Sequence, residues 1–182
     1  MKFLIASDIH GSAFYVDLFL RKADILRPQK IILLGDIYYH GPRNELTEEY
    51  NPMKVASMLN EYNKHYDMIV IKGTCDAEVD EMISEFKFVN EVEIEAFGKI
   101  FMLTHGHKIN IQNMNNVNSD VLLYGHFHVP FIEEAEGTIV ASPGSISLPK
   151  DSSKNSYMTI DEDGITIYDL ITDEVLMQRK FN

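Results

Sequence analysis

The chain predicts an α/β fold in which two β-sheets face each other with helices outside. Three observations carry that expectation. The first half alternates apolar runs of four to six residues with amphipathic stretches, the last third is a succession of short strand-like runs broken by turns, and a carboxylate, histidine or cysteine follows each of the main apolar runs.

Phe3-Leu4-Ile5-Ala6 opens the chain as a strand and leads into Ser7-Asp8-Ile9-His10. Ser12 can cap a helix running to about Leu26, with Phe14, Leu18 and Ile25 on one face and Arg21, Lys22 and Arg27 elsewhere, and Pro28 marks its end. Ile31-Ile32-Leu33-Leu34 is the second strand and ends in Gly35-Asp36. A helix is expected from about Pro52 to Lys64, with Val55, Met58, Leu59 and Tyr62 at helical spacing and Met53 in the same apolar face. Met68-Ile69-Val70-Ile71 then leads into Lys72-Gly73-Thr74-Cys75-Asp76, and a short helix begins near Ala77. From Phe88 to Phe97 and from Lys99 to Leu103 the pattern reads as a strand hairpin turning at Phe97-Gly98-Lys99. Ile100-Phe101-Met102-Leu103 precedes Thr104-His105-Gly106-His107, and Val121-Leu122-Leu123-Tyr124 precedes Gly125-His126-Phe127-His128. The polar, asparagine-rich stretch Ile109–Asn118 between them shows no helix. Strands follow near Phe131–Ala135, Thr138–Ala141, Ser156–Ile160, Ile165–Leu170 and Val175–Phe181, with turns at Glu136-Gly137 and Asp163-Gly164.

The 182 residues, 45% hydrophobic, suit one domain over 1–182 with a sizeable core, and no repeat, low-complexity tract or linker interrupts them. A formal net charge of −12 argues against long duplex nucleic acid, which is held chiefly by lysine and arginine. One cysteine allows no internal disulfide, the start Met1-Lys2 with its short apolar run is no secretion signal, and no apolar stretch reaches the roughly 20 residues needed to cross a bilayer. A cytoplasmic location is expected.

Covered strands of an open α/β sheet gather ligands beyond their carboxyl ends, so the five polar groups should converge on one edge. Carboxylates and imidazoles there can surround a pair of divalent ions. Two ions about 3.5–4 Å apart supply a nucleophile near neutral pH and a clamp for a phosphoryl group. Oxygen and nitrogen donors without a thiolate cage favour Mn²⁺, with Zn²⁺, Fe²⁺, Ni²⁺ or Co²⁺ as alternatives.

Asp-x-His at 8–10, Gly-Asp at 35–36, Gly-x-Cys-Asp at 73–76, Thr-His-Gly-His at 104–107 and Gly-His-x-His at 125–128 resemble, in that order, the calcineurin-like metallophosphoesterases. Within that superfamily, Ser-Asp-Ile-His-Gly-Ser at 7–12, His-Gly-Pro-Arg-Asn at 40–44 and Cys-Asp-Ala-Glu-Val-Asp at 75–80 resemble the small bacterial YfcE-type phosphodiesterases. The resemblance implies an αββα sandwich and a site for two divalent metal ions, one held by Asp8, His10 and His128, the other by His105 and His126, with Asp36 bridging. Position 74, where the family has a ligating asparagine, is Thr74, a shorter and poorer donor that should lower occupancy of the second ion. Ser142, before Pro143-Gly144-Ser145, stands where relatives often have asparagine, in an expected turn near the site.

His107 either lies beside the ligands or faces substrate, with a structural role as the alternative. Cys75 occupies a position where other relatives place a leaving-group acid, yet equally suits a small buried residue. Asp76 orients a neighbour or caps the next helix. Arg43, and less so His40 and Asn44, can contact phosphate, although Arg43 could instead pair with Glu45, Glu48 or Glu49. The resulting expectation is a metal-dependent phosphodiesterase acting on a small phosphodiester, away from membranes and self-associated as a dimer or tetramer, with Asp36, His105, His107, Cys75 and Arg43 nearest the chemistry. Its rivals are a phosphomonoesterase using the same site and a non-catalytic scaffold with a weakened metal site.

Overall fold

In the computed structural model, which describes residues 1–115 and 117–181, the first two apolar runs form β1 (Lys2–Ala6) and β2 (Lys30–Leu33), parallel neighbours with Phe3 beside Lys30 and Ala6 beside Leu33. Between them runs α1 (Ala13–Leu26). Ser12 Oγ accepts from the Tyr15 N–H at its start, and Arg27, in left-handed conformation, closes its end by donating to the Ala23 carbonyl. The buried stripe of α1 is Val16, Phe19, Leu20 and Ala23, at i, i+3, i+4 and i+7. That corrects the expected face: Phe14 is 38% and Ile25 75% exposed.

Asn51 caps α2 (Pro52–Asn63) through the Lys54 N–H, and Pro52 occupies the first turn, where a missing N–H costs nothing. Val55, Ala56 and Leu59 face the core, Met58 and Tyr62 pack at its margin, and Met53 is turned outward. β3 (Asp67–Ile71) adds in parallel to β2, and the short α3 (Glu78–Ile83) follows.

The expected Phe88–Phe97 strand is two strands in two sheets. β4 (Phe88–Val89) pairs in parallel with β3, whereas β5 (Glu91–Ala96) pairs antiparallel with β6 (Lys99–Thr104), so the chain changes sheets at Asn90. β7 (Val121–Leu123) lies parallel to β6 and to β9 (Thr138–Pro143), and β8 (Pro130–Ala135) borders β9. β10 (Ser156–Asp161), β11 (Gly164–Asp169) and β12 (Val175–Lys180) extend the first sheet by antiparallel pairing from β1. The result is a seven-stranded sheet ordered β12-β11-β10-β1-β2-β3-β4 facing a five-stranded sheet ordered β5-β6-β7-β9-β8.

Phe3, Ile5, Ile32, Leu34, Phe101, Leu103, Val121 and Leu123 fill the space between the sheets. Leu4, Ala6, Ile31 and Leu33 pack outward on α1 and α2. With both faces of the central strands covered, the continuous apolar runs follow directly. The outer face of the five-stranded sheet, carrying Met102, Leu122, Tyr124 and Val140, is covered by Ile109, Ile111, Met114 and Val117 from irregular chain rather than by a long helix. Asn116 in that stretch lies outside the described residues. Among the described residues no helix is long and apolar enough to cross a membrane.

Candidate metal centre

The five polar groups stand at the carboxyl ends of parallel strands drawn from both sheets: β1, β2 and β3 in one, β6 and β7 in the other. Backbone pairing continues past the strands, with the Asp8 N–H donating to the Gly35 carbonyl (3.0 Å) and the His10 N–H to the Asp36 carbonyl (2.9 Å). Asp8, His10, Asp36, His126 and His128 all adopt left-handed backbone conformations, with φ of 54°, 49°, 57°, 69° and 63°. Such conformations cost non-glycine residues on the order of 1–3 kcal/mol each and collect at functional sites. Aspartate and histidine are among the side chains that tolerate them best.

Two triads result. Ligand-capable atoms of Asp8, His10 and His128 lie within 4.8 Å of one another, as do those of Asp36, His105 and His126. Asp36 stands between the triads, its Oδ2 3.4 Å from His105 Nε2 and 3.8 Å from His10 Nε2. Its Oδ1 accepts from the Cys75 N–H at 2.8 Å. No side chain fits at Gly73, where a Cβ would collide with Asp36 Oδ1 and the Asp36 nitrogen.

The histidine tautomers are set from outside. His10 Nδ1–H donates to the Tyr39 carbonyl (2.8 Å), His105 Nδ1–H to the Leu34 carbonyl (2.7 Å) and His128 Nδ1–H to the Leu148 carbonyl (2.6 Å), which leaves each Nε2 to the centre. His10 Nε2 and His128 Nε2 then confront each other at 3.2 Å, and His126 Nδ1 lies 3.1 Å from His105 Nε2. Lone pairs so placed repel unless a cation or proton lies between them. Asp8 Oδ1, fully buried 3.4 Å from His128 Nε2, has no hydrogen-bond partner among the described residues. A buried carboxylate oxygen without a donor, beside imidazole nitrogens held with their lone pairs inward, fits a divalent cation.

The groups of the centre titrate in opposite directions, each according to its own balance of burial and neighbouring charge. Burial pushes the Asp8 carboxyl up to about 7. Burial also works against ionisation of Asp36, but the hydrogen bond and charge of His105 and the Cys75 N–H outweigh it and hold that carboxyl below the usual range. His105 is disfavoured as a cation by burial, yet Asp36 and Asp8 together lift it to about 9. Burial depresses His126 and His128 to about 4.

A cleft of about 340 Å³ opens over the centre, lined by Pro42, Arg43, Asn44, Thr74, Cys75 and Lys150 together with His10, Asp36, His126 and His128. Arg43 is exposed and makes no ion pair among the described residues. Thr74 is exposed on the cleft wall rather than buried among the triads. His107 is exposed and is not among the residues that line the cleft, its ring 5.7 Å from that of His105 and 6.3 Å from that of His126. His40 packs between Tyr39 and Tyr50.

Asp76 neither caps α3, whose N-cap is Ala77, nor reaches the cleft. Its Oδ2 accepts from the Asp36 and Gly73 N–H groups (2.8 and 2.7 Å) and its Oδ1 from Ile37 (2.7 Å), tying the loop after β3 to the one after β2. Ser145 and Ser147 donate to the Asp8 carbonyl at 2.7 and 3.0 Å, so the turn after β9 also positions the first triad. Lys150 had no signal in the sequence, because only the fold brings its loop beside His128, whose carbonyl accepts from the Lys150 N–H at 3.2 Å.

Residues 1–164 match the model of the calcineurin-like phosphoesterase superfamily domain. The chain belongs to the calcineurin-like phosphoesterase superfamily. Within it, the chain is 37% identical to phosphodiesterase YfcE of Escherichia coli K12, with all of this chain and 99% of that protein covered. The solved structure of E. coli YfcE, described as a phosphoesterase, superposes with a TM-score of 0.95 at 35% identity over the whole of both chains. A more distant member of the superfamily fold, Vps29 of Entamoeba histolytica in complex with zinc, superposes with a TM-score of 0.64 at 21% identity over both full chains, a likeness of fold alone.

Proposed function

We propose that this phosphoesterase is a metal-dependent phosphodiesterase that hydrolyses a small phosphodiester at the cleft above two divalent ions. The observation that carries the reading is the pair of triads with Asp36 standing between them, together with the orphaned Asp8 oxygen and three inward-facing Nε2 atoms. The 37% identity to E. coli phosphodiesterase YfcE along the full chain supports the diester over the monoester. Asp8, His10 and His128 would hold one ion, His105 and His126 the other, and Asp36 both; Thr74 is the weakest donor of the set. Mn²⁺ suits the oxygen and nitrogen donors best, with Zn²⁺, Fe²⁺, Ni²⁺ or Co²⁺ as substitutes.

When bound, a pair of such ions makes water a nucleophile near neutral pH and neutralises charge on phosphoryl oxygens. The protein's own groups do the rest. Asp36 fixes the spacing between the triads, and the carbonyls of Tyr39, Leu34 and Leu148 keep three imidazoles aimed. Arg43 and Lys150, both in the lining of the cleft, would offer positive charge to the diester's non-reacting oxygens. Cys75 in the cleft wall, or His107 beside His105, would pass a proton towards the departing alcohol. One domain over 1–182, a cytoplasmic location and assembly as a dimer or tetramer complete the proposal.

Metal content by elemental analysis, with bis(p-nitrophenyl) phosphate and p-nitrophenyl phosphate as paired substrates and Mn²⁺ added or withheld, tests it. Two ions per chain and Mn²⁺-dependent diester cleavage are expected. Full activity after exhaustive metal removal, or in a His126→Ala variant, would refute it, and faster monoester than diester turnover would move the assignment to a phosphomonoesterase.

A further inference from the structure

A third group of donors lies in the cleft wall. Cys75 Sγ, an Asp36 oxygen and a His10 nitrogen lie within 4.8 Å of one another. With His10 Nδ1–H engaged by the Tyr39 carbonyl, the nitrogen available to that group is Nε2. The Cys75 N–H is anchored on Asp36 Oδ1 at 2.8 Å, which fixes the sulfur beside the carboxylate. Opposite it, Gly41 keeps the sulfur accessible: a Cβ there would stand 3.3 Å from Sγ, tighter than ordinary packing. Tetrahedral zinc with bonds of about 2.0–2.3 Å holds its ligand atoms roughly 3.3–3.8 Å apart, so the observed group needs a contraction of at most about 1.5 Å.

We infer that Cys75, His10 and Asp36 form a third cation position, selective for thiophilic divalent ions such as Zn²⁺, Co²⁺ or Cd²⁺. It rests on the metal-centre reading above and extends it, because one imidazole, one carboxylate and one thiolate are a softer donor set than either triad. Binding there forms a sulfur–metal bond and breaks the S–H bond, releasing the proton to solvent without any change in oxidation state. His10 and Asp36 also belong to the triads, so an ion held by Cys75 draws both away from the hard-metal arrangement and stands where the phosphoryl group would approach. Mn²⁺ and Mg²⁺, which prefer oxygen ligands, gain little from the sulfur. Occupancy of this position would therefore compete with the productive arrangement most strongly for Cd²⁺, the softest of these ions, less for Zn²⁺ and Co²⁺, and least for Mn²⁺ and Mg²⁺.

Titration of the metal-stripped full chain with Co²⁺, followed from the near ultraviolet to the visible, reads the two kinds of site separately. Ions in the His/Asp triads give visible d–d bands, whereas a bond to Cys75 adds a thiolate-to-cobalt charge-transfer band. Because the chain has one cysteine, no other thiolate can produce that band. The expected result is both features in the parent chain, with only the d–d bands left in Cys75→Ser and Cys75→Ala, and with Cd²⁺ displacing the cobalt charge-transfer band more effectively than Mn²⁺. Visible bands without charge transfer in the parent chain would overturn the third position while leaving the metal centre standing. Absence of both features would overturn the centre and this position together.

Discussion

The two triads are built from similar donors but in different surroundings. Asp8, His10 and His128 are all buried, reinforced by Ser145 and Ser147 on the Asp8 carbonyl. Both groups meet the cleft, the first through His10 and His128, which are nevertheless almost fully buried, and the Asp36, His105 and His126 group more openly through half-buried His126, with exposed Thr74 as its neighbour on the wall. A closed cage retains its ion by enclosure, and an open one exchanges ligands with solvent and substrate. The same residue types, one aspartate and two histidines in each group, thus sit under different cover within one centre.

Removing the shared member should have the largest effect, because it damages both cages at once. Asp36→Asn is expected to lower diester hydrolysis by on the order of 10² to 10³-fold or more, the range seen when a group aimed at developing charge is lost. Steady-state assays at saturating Mn²⁺ check it, with circular dichroism to confirm folding; near-normal activity would mean the cages act independently.

Within the closed cage, Asp8→Asn should separate stability from metal affinity. Burial has already raised that carboxyl to about 7, and its Oδ1 lacks a donor, so an amide facing His128 Nε2 should stabilise the metal-stripped protein by about 1 kcal/mol. The same variant should lose most of the rise in Tm that Mn²⁺ gives the parent chain. Thermal melts with and without metal read both effects.

In the open cage, Thr74→Asn should raise affinity for the second ion by about tenfold, within the range by which groups around a metal alter binding. Calorimetric titration with Mn²⁺ would resolve the change as a tighter second step, while the first step stays in place. An unaltered second step would show that Thr74 is no handicap.

The smallest effect is that of pH. Without metal, His105 holds a proton up to about 9, since Asp36 and Asp8 outweigh the burial that opposes it. A metal must displace that proton, so affinity should fall as pH drops below about 9 and become independent of pH above it. Below about 7 the protonation of Asp8 should steepen the fall. Comparing binding heats in buffers of different ionisation enthalpy counts the protons released; none released at neutral pH would contradict the arrangement.

What could be read in the sequence was whatever local pattern decides. The strand ends carrying Asp8, Asp36, His105 and His126 follow apolar runs that only a doubly covered strand explains. The sheet change at Asn90 was missed although Val89 and Asn90 interrupt the apolar–polar alternation of β5, because so brief an interruption does not say which neighbour each strand will choose. The face of α1 was misjudged because Phe14 and Ile25 are large, whereas the stripe that packs includes small Ala23. Lys150 was opaque for another reason, and for Asp76 the sequence offered the orienting of a neighbour without saying which: their partners are distant in sequence, and hydrogen bonds to the backbone of Asp36 or His128 have no residue-type signature.

The left-handed backbone at Asp8, His10, Asp36, His126 and His128 also limits what evolution or an engineer can install there. Substituting a β-branched or bulky side chain would require the loop itself to be rebuilt, however suitable the new donor. The practical alphabet at these positions is reduced to aspartate, asparagine, histidine and glycine. Position 74, outside that set of constrained turns, is free to drift, and attempts to retune the metal chemistry of this scaffold should begin there and at Cys75 rather than at the histidines.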